Sequence, residues 1–360
     1  MEPSLFKESD PIELLAKKWS LQLDEIWQAR DQARMRRQEF KDICEKGKFL
    51  TEDTSVVVFG SMARDEYTSG SDADWTLLID GEANSDHLRV TREIKASIGK
   101  IFKAPNATGS FGGMTFSHQL IHNIGGPEDS NMNTTQRILM LLESRSIHGI
   151  GDAAYGRVVR GILNRYVEQE VSSLNREKNR YKVPRFLLND VVRFWRTMAV
   201  DFASKQWERG GLGWGLRNAK LRLSRKLIYI SGLLTCFSCS LDADLNSKIN
   251  SDHDKTLQVV NHLRKAIKNT PLAVLANSLL LYDDRGEITK TIFSAYNEFL
   301  GILNDLDKRK HLQDLRAEDS ERDPLFIEVR RISDAFQNGL DKFFFENQNI
   351  NPLTRKYGVF

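Results

Sequence analysis

The stretch from Val56 to Asp80 reads V-V-V-F-G-S-M-A-R-D-E-Y-T-S-G-S-D-A-D-W-T-L-L-I-D. Val56-Val57-Val58-Phe59 is β-branched and aromatic, the composition of a buried strand. Gly60 then lets the backbone turn tightly and come close to a ligand. A polar loop follows, and Asp72-Ala73-Asp74 opens a second β-rich run, Trp75 to Ile79. The order predicts a strand, a small-residue turn, and a second strand that begins on paired carboxylates.

Each part suits one piece of phosphate chemistry. Ser61 and the amides after it can face an anion. A helix beginning at Met62-Ala63-Arg64 would point its positive end at the same anion. A triphosphate is the natural guest. Asp72 and Asp74 lie two apart, and in a strand such residues project to one face. Two carboxylates side by side are costly unless a cation lies between them. Mg²⁺, or Mn²⁺ in its place, takes oxygen ligands and keeps substrate phosphates in its shell. A two-metal clamp can activate an attacking hydroxyl and stabilise leaving pyrophosphate. Together the residues form G-S-x-A-R-x-E-x(4)-S-D-x-D, far more specific than a lone G-S or D-x-D. No Ser-His or Cys-His nucleophile is required, because positioning and charge neutralisation carry such a reaction.

Gly60 to Asp74 resembles the signature of the DNA polymerase β-like nucleotidyltransferase superfamily, in the form seen in PII-uridylyltransferase-type and small bacterial nucleotidyltransferases. Thr135 to Gly149, T-Q-R-I-L-M-L-L-E-S-R-S-I-H-G, resembles that group's T-x-L-L-[DE]-x-R-x-x-x-G helix. The resemblance covers about residues 50 to 155. It implies a transferase that moves a nucleoside monophosphate, ribo or deoxyribo, from a triphosphate such as ATP to a hydroxyl. Asp72 and Asp74 would be catalytic and hold magnesium. Gly60, Ser61 and Arg64 would belong to the nucleotide site, with Arg64 also bracing the loop through Glu66. A helical domain after the sheet supplies further triphosphate contacts in the superfamily, and Lys220, Ser224 and Arg193 are the residues it points to here.

One departure concerns a third carboxylate, which the superfamily usually carries on a following strand. The strand expected here, Met114 to Asn123, holds His118 and His122 and no acid. Glu128, Asp129 and Glu143 are the nearest acids, and the two histidines read as structural. The acceptor stays open between a protein side chain, a nucleotide or oligonucleotide as in antiphage (antiviral defence) or stress signalling, and a nucleic-acid end. The alternative is a catalytically degenerate module that binds a nucleotide or a partner.

The 360 residues suit two domains or one large one. No apolar run has the length of a membrane span. The first ten residues are polar and unlike a secretory signal. Three cysteines give no disulfide framework, and Cys236-Phe237-Ser238-Cys239 lacks the second pair of a zinc site. The expected setting is a reducing, cytoplasmic one. Between Arg157 and Lys226 there are seventeen Lys and Arg against six Asp and Glu, although the chain as a whole carries only +3. Such a block can face polyphosphate, nucleic acid or an acidic partner, or serve as solvated helix faces. Trp195, Trp207 and Trp214 lie within it and suit either base stacking or a core.

The expected fold is α+β: a small mixed nucleotidyltransferase sheet with flanking helices, then a large all-helical domain. The expected boundaries are an N-terminal packing helix over 1–48, a catalytic domain over 49–155, a helical domain over 156–345 that completes the nucleotide cleft, and a loose tail over 346–360. Asp10-Pro11 starts the first helix, which the apolar spacing carries through Trp27 toward Phe40. Strands are expected at 55–59, 74–79 and 115–123, a helix at about 85–102, and from Thr134 onward helices only, the first two over 134–147 and 155–181.

Overall fold

The computed structural model describes residues 9–47, 49, 51–105, 111–148, 153–171, 183–208, 210–242, 245 and 252–358. They form two compact units, one of residues 29–173 and one of residues 1–28 with 174–360. The fold is α+β: a four-stranded mixed sheet with flanking helices, and a remainder that is mostly helical. The expected boundaries cut the chain elsewhere. Residues 29–47 group with the sheet, because Ala33, Phe40 and Cys44 lie in its core cluster. Residues 9–28 group with the helices.

Helix α1 (Pro11–Trp19) is capped by Asp10, whose carboxylate accepts from the amide of Ile12 at 2.9 Å. The single long helix expected here is broken. Ser20 adopts φ 53°, which ends α1, and α2 (Asp24–Gly47) starts afresh. The sheet then begins with β1 (Thr54–Phe59), α3 (Gly60–Ala63) and β2 (Trp75–Ile79). After α4 (Asp86–Ile98) come β3 (Gly113–Phe116), α5 (Ser117–Ile121), α6 (Asn131–Leu142), β4 (Ser144–Ser146) and α7 (Ala153–Val171).

Strand order is β3-β2-β1-β4, with β1 antiparallel to both β2 and β4 and β3 parallel to β2. The registers Val56↔Leu77 and Val58↔Trp75 put these side chains on one face, in the core cluster with residues of α2 and α4. Thr76, Leu78 and Thr115 alternate to the other face. There Leu120 of α5 and Gln136 and Met140 of α6 line a pocket with Phe59, Thr76, Phe111 and Thr115.

Two expectations are corrected in this unit. The strand expected over Met114 to Asn123 ends at Phe116, and Ser117–Ile121 is helical. Leu120 is the buried residue of that turn of helix, so one side chain anchors it. His118 and His122 are therefore one helical turn apart, exposed, with ring centroids 4.9 Å apart. The helix expected over Thr134 to Ile147 stops at Leu142. Glu143 leaves helical geometry at φ −140°, ψ 40°, and Ser144–Ser146 pairs with β1, so the chain is not all-helical from Thr134. The T-x-L-L-type motif ends at Gly149, which lies outside the described residues, as does residues 172–181 of the helix expected over 155–181.

The helical unit contains α8 (Arg185–Glu208), α9 (Trp214–Lys220), α10 (Lys226–Leu241), α11 (Asp252–Ile267), α12 (Pro271–Tyr282), α13 (Glu287–Asn304), α14 (Leu306–Asp314), α15 (Pro324–Asp341) and α16 (Asn351–Leu353). One π-helical turn, Leu221–Arg225, joins α9 to α10. From Leu227 to Cys239 nearly every residue of α10 is buried, as befits a central helix, and it packs on α8, α11 and α12. The Ser238 hydroxyl donates to Thr235 O and meets His262 Nε2 at 2.7 Å, while His262 Nδ1 faces Asp242 at 3.3 Å. This buried chain ties the end of α10 to α11. Trp195 stacks on Tyr229 and Trp214 packs on Phe326. The side chain of Trp207 lies outside the described residues. The segment expected to be a loose tail is helical over 351–358, and Ile350 and Thr354 are buried in it. Among the described residues no helix is long and apolar enough to cross a membrane.

Candidate functional site

The site lies where β1 ends and β2 begins. The Phe59 amide donates to Asp74 O at 2.8 Å, so the antiparallel ladder runs one residue past β2. The Ala73 amide donates to Lys103 O at 3.0 Å and fixes the approach to that strand. Burial alternates through the segment. Ser71, Ala73 and Trp75 are buried, while Asp72 and Asp74 are half-buried. The two half-buried acids thus flank a buried alanine, the alternation expected of their spacing.

Gly60 faces one of them directly. Its φ is +64°, in the left-handed region that glycine tolerates. A Cβ built at Gly60 would lie 2.8 Å from Asp74 Oδ2. The carboxylate therefore rests against bare backbone, and the turn needs glycine twice over, for its dihedral and for this approach. Ser61 follows, half-buried, at the start of α3.

The loop between turn and acids is a compact unit. Ser71 N donates to Thr68 O at 2.9 Å, Thr68 N donates to Ser71 Oγ at 3.1 Å, and Tyr67 Oη donates to Ser71 O at 3.2 Å. Arg64 lies behind this loop. Its Nε donates to Glu66 at 2.9 Å and its Nη1 to Glu143, and both carboxylates are buried. The Arg64–Glu66 brace expected from the sequence is present, with Glu143 as a second acid in it.

Asp129 is also engaged. It receives two hydrogen bonds from Arg137, at 3.1 and 2.9 Å, and that arginine is fully buried and donates to Tyr166 Oη as well. Of the three acids nearest the expected third-ligand strand, Glu143 and Asp129 neutralise arginines, and Glu128 is exposed. On β3 itself the residues on the Asp74 face are Gly113 and Thr115, and Thr115 Oγ1 meets Thr76 Oγ1 at 3.0 Å. Among the described residues no group of three or more His, Cys, Asp or Glu is gathered for a metal.

The remaining sequence candidates belong to the helical unit. Ser224 is buried in the π-helical turn, with its hydroxyl donating to Lys220 O at 3.3 Å. Lys220 closes α9, and Arg193 is half-buried on α8. Nearby Lys226 has its pKa lowered, by burial first and then by the Arg222 charge, and its ammonium donates to Gln337.

Two residues were given no role from the sequence, and one of them, Arg145, is the arginine of the T-x-L-L-[DE]-x-R stretch. Arg37 of α2 and Arg145 of β4 both reach Asp65, at 2.6 and 3.1 Å. Burial pulls the Arg37 pKa down, and the attraction of Asp65 opposes that. A signal for Arg37 existed. It lies at helical spacing between Ala33, Phe40 and Cys44, a charge set in a buried stripe.

Residues 37–105 match the family model described as a nucleotidyltransferase domain, consistent with the DNA polymerase β-like nucleotidyltransferase superfamily. The match spans α2 from Arg37, the Gly60 turn, both carboxylates and α4. No curated protein matches the chain.

Proposed function

We propose that the chain is a metal-dependent nucleotidyltransferase of the EC 2.7.7 type, which moves a nucleoside monophosphate from a triphosphate to a hydroxyl of a nucleotide or oligonucleotide, with release of pyrophosphate. The observation that carries this reading is the Asp74 carboxylate resting on Gly60, with half-buried Asp72 two residues before it. The donor set fits a hard cation, since Asp72 and Asp74 offer oxygens only and substrate phosphates can complete the shell. Mg²⁺ held by Asp72 and Asp74 would neutralise phosphate charge and favour ionisation of the acceptor hydroxyl. Mn²⁺ is the alternative cation.

The chain's own residues then do the following. Gly60 and Ser61 present backbone amides, and Ser61 a hydroxyl, to the outer phosphates. Arg64 holds the loop through Glu66 and Glu143, so its contribution to nucleotide binding is indirect. Lys220, Ser224 and Arg193 are proposed as further triphosphate contacts. The seventeen cations between Arg157 and Lys226 favour a nucleotide or nucleic-acid acceptor over a neutral one. An antiphage or stress-signalling setting fits an oligonucleotide product.

The test is incubation with each labelled NTP and dNTP, with Mg²⁺ or Mn²⁺, and measurement of pyrophosphate and of label location. Asp72→Asn and Asp74→Asn should each lower pyrophosphate release at least about 10²-fold, the scale for losing one aligned electrostatic group. Wild type that releases no more than Asp72→Asn/Asp74→Asn would leave the binding-module alternative. Label found on the protein, and not in a soluble oligomer, would instead assign the acceptor to a side chain.

A further inference from the structure

We infer that Arg37 and Arg145 are positioning residues for the Gly60-Ser61 turn and act on it through Asp65; this rests on the nucleotidyl-transfer reading above. α3 has four residues and cannot satisfy its own final carbonyls. Two arginines from distant parts of the chain do so. Arg37 Nη1 donates to Met62 O, and Arg145 Nε donates to Ala63 O at 2.9 Å. Each then reaches Asp65 with its other arm. Arg37 Nη2 lies 2.6 Å from Oδ1, and Arg145 Nη2 donates to Oδ2 at 3.1 Å.

Asp65 is held in an unfavourable conformation. Its φ is +63°, and among the described residues only Ser20 is another non-glycine with positive φ. The surroundings must over-determine such a residue, and here the paired arginines do. The side chains of Arg37 and Asp65 are only 16 % and 13 % exposed, so the contact is shielded from solvent. Arg137, by contrast, is held by Asp129 and Tyr166.

The clamp is connected to the phosphate seat by backbone. Arg64 N donates to Gly60 O at 3.0 Å, and Glu66 N donates to Ser61 O at 2.9 Å. Movement of residues 62–66 therefore rotates the Gly60–Ser61 and Ser61–Met62 peptide planes, and the first of these carries the Ser61 amide offered to phosphate. Arg37 and Arg145 hold the end of α3, and the carboxylate of Asp74 lies against Gly60 at its start.

The experiment uses the full chain and steady-state pyrophosphate release with the triphosphate that wild type prefers, alongside thermal unfolding. Asp65→Asn keeps a residue that tolerates positive φ while removing the charge shared by both arginines. Asp65→Asn and Arg37→Ala should each raise KM for the Mg²⁺-triphosphate about tenfold and lower kcat by less than threefold. Arg37→Lys, which keeps one arm, should fall between Arg37→Ala and wild type. Added guanidinium at millimolar concentration should restore part of the Arg37→Ala loss, and should not improve Asp72→Asn. Folded variants with unchanged KM would overturn the inference. So would losses that track only the unfolded fraction. If wild type is active and these variants match it, the clamp alone is wrong. If wild type neither binds nor turns over any triphosphate, the nucleotidyl-transfer reading fails and the clamp's role falls with it.

Discussion

Replacing Gly60 by alanine separates two demands that the turn makes. The first is the backbone. At φ +64° a residue with a Cβ costs about 1–2 kcal/mol. In a unit of this size that lowers the unfolding midpoint by roughly 2–8 °C. The second is the approach of Asp74. The new Cβ would lie 2.8 Å from Oδ2, where ordinary contact begins near 3.4 Å. The carboxylate must retreat by about 0.6 Å or the turn must open by as much. A misplacement of about 1 Å at a reacting centre costs on the order of 10²-fold, so a loss of about 10- to 100-fold in kcat/KM is expected. Gly125 supplies the control. Its φ is +73°, and a Cβ there meets nothing within 4 Å, so Gly125→Ala carries the backbone cost alone. Both variants should melt earlier by similar amounts, and only Gly60→Ala should lose activity at 25 °C. Equal activity in the two, measured as pyrophosphate release on fully folded samples, would refute the assignment of Asp74 to the reacting centre.

Further outcomes follow from buried groups. The Cys44 thiol is pushed up to about 12 by burial, from an ordinary 9.0. The folded state thus holds a proton that the unfolded chain releases above about pH 9. Its contribution is fully present below pH 9 and is lost as pH rises toward 12. Cys44→Ala should show a shallower fall in stability across that range than wild type, and native protein at pH 8 should resist thiol reagents until unfolded. Asp283 is buried and accepts from Gly286 N at 3.0 Å, Thr289 N at 2.7 Å and Thr289 Oγ1 at 2.6 Å. Asp283→Ala leaves those donors unmet and should cost about 1–3 kcal/mol in denaturant unfolding. Gly286→Ala should cost at least as much, because its Cβ would lie 2.4 Å from the Trp19 ring.

The reading from sequence succeeded where residue type and spacing carry the physics alone. A β-branched run, a glycine turn and two acids at strand spacing define β1, the turn and the start of β2 without help from elsewhere. It failed where tertiary contacts decide. Ser144-Arg145-Ser146 has no strand-like composition, and it is a strand because β1 offers it an edge. Ser117 to Ile121 continues the alternation of β3, and it is a helix because Leu120 is buried under the sheet. Glu143 and Asp129 looked like spare carboxylates, since their partners Arg64 and Arg137 are recognisable only once the chain is folded. Arg37 showed only as a charge set in a buried stripe, and its partner Asp65, 28 positions on, is recognisable only once the chain is folded.

The three-residue strand β4 also orders events in time. It pairs with a strand more than 80 positions earlier, and Arg145 reaches Asp65 across a separation of 80 residues. The β1–β2 hairpin and its glycine turn can form from nearby chain, but the turn's clamp is a non-local contact whose loop must close first. Chain emerging from a ribosome would therefore hold both carboxylates long before the backbone beside them is fixed. On this topology, competence for chemistry comes late in folding, after residue 145 has found the edge of β1.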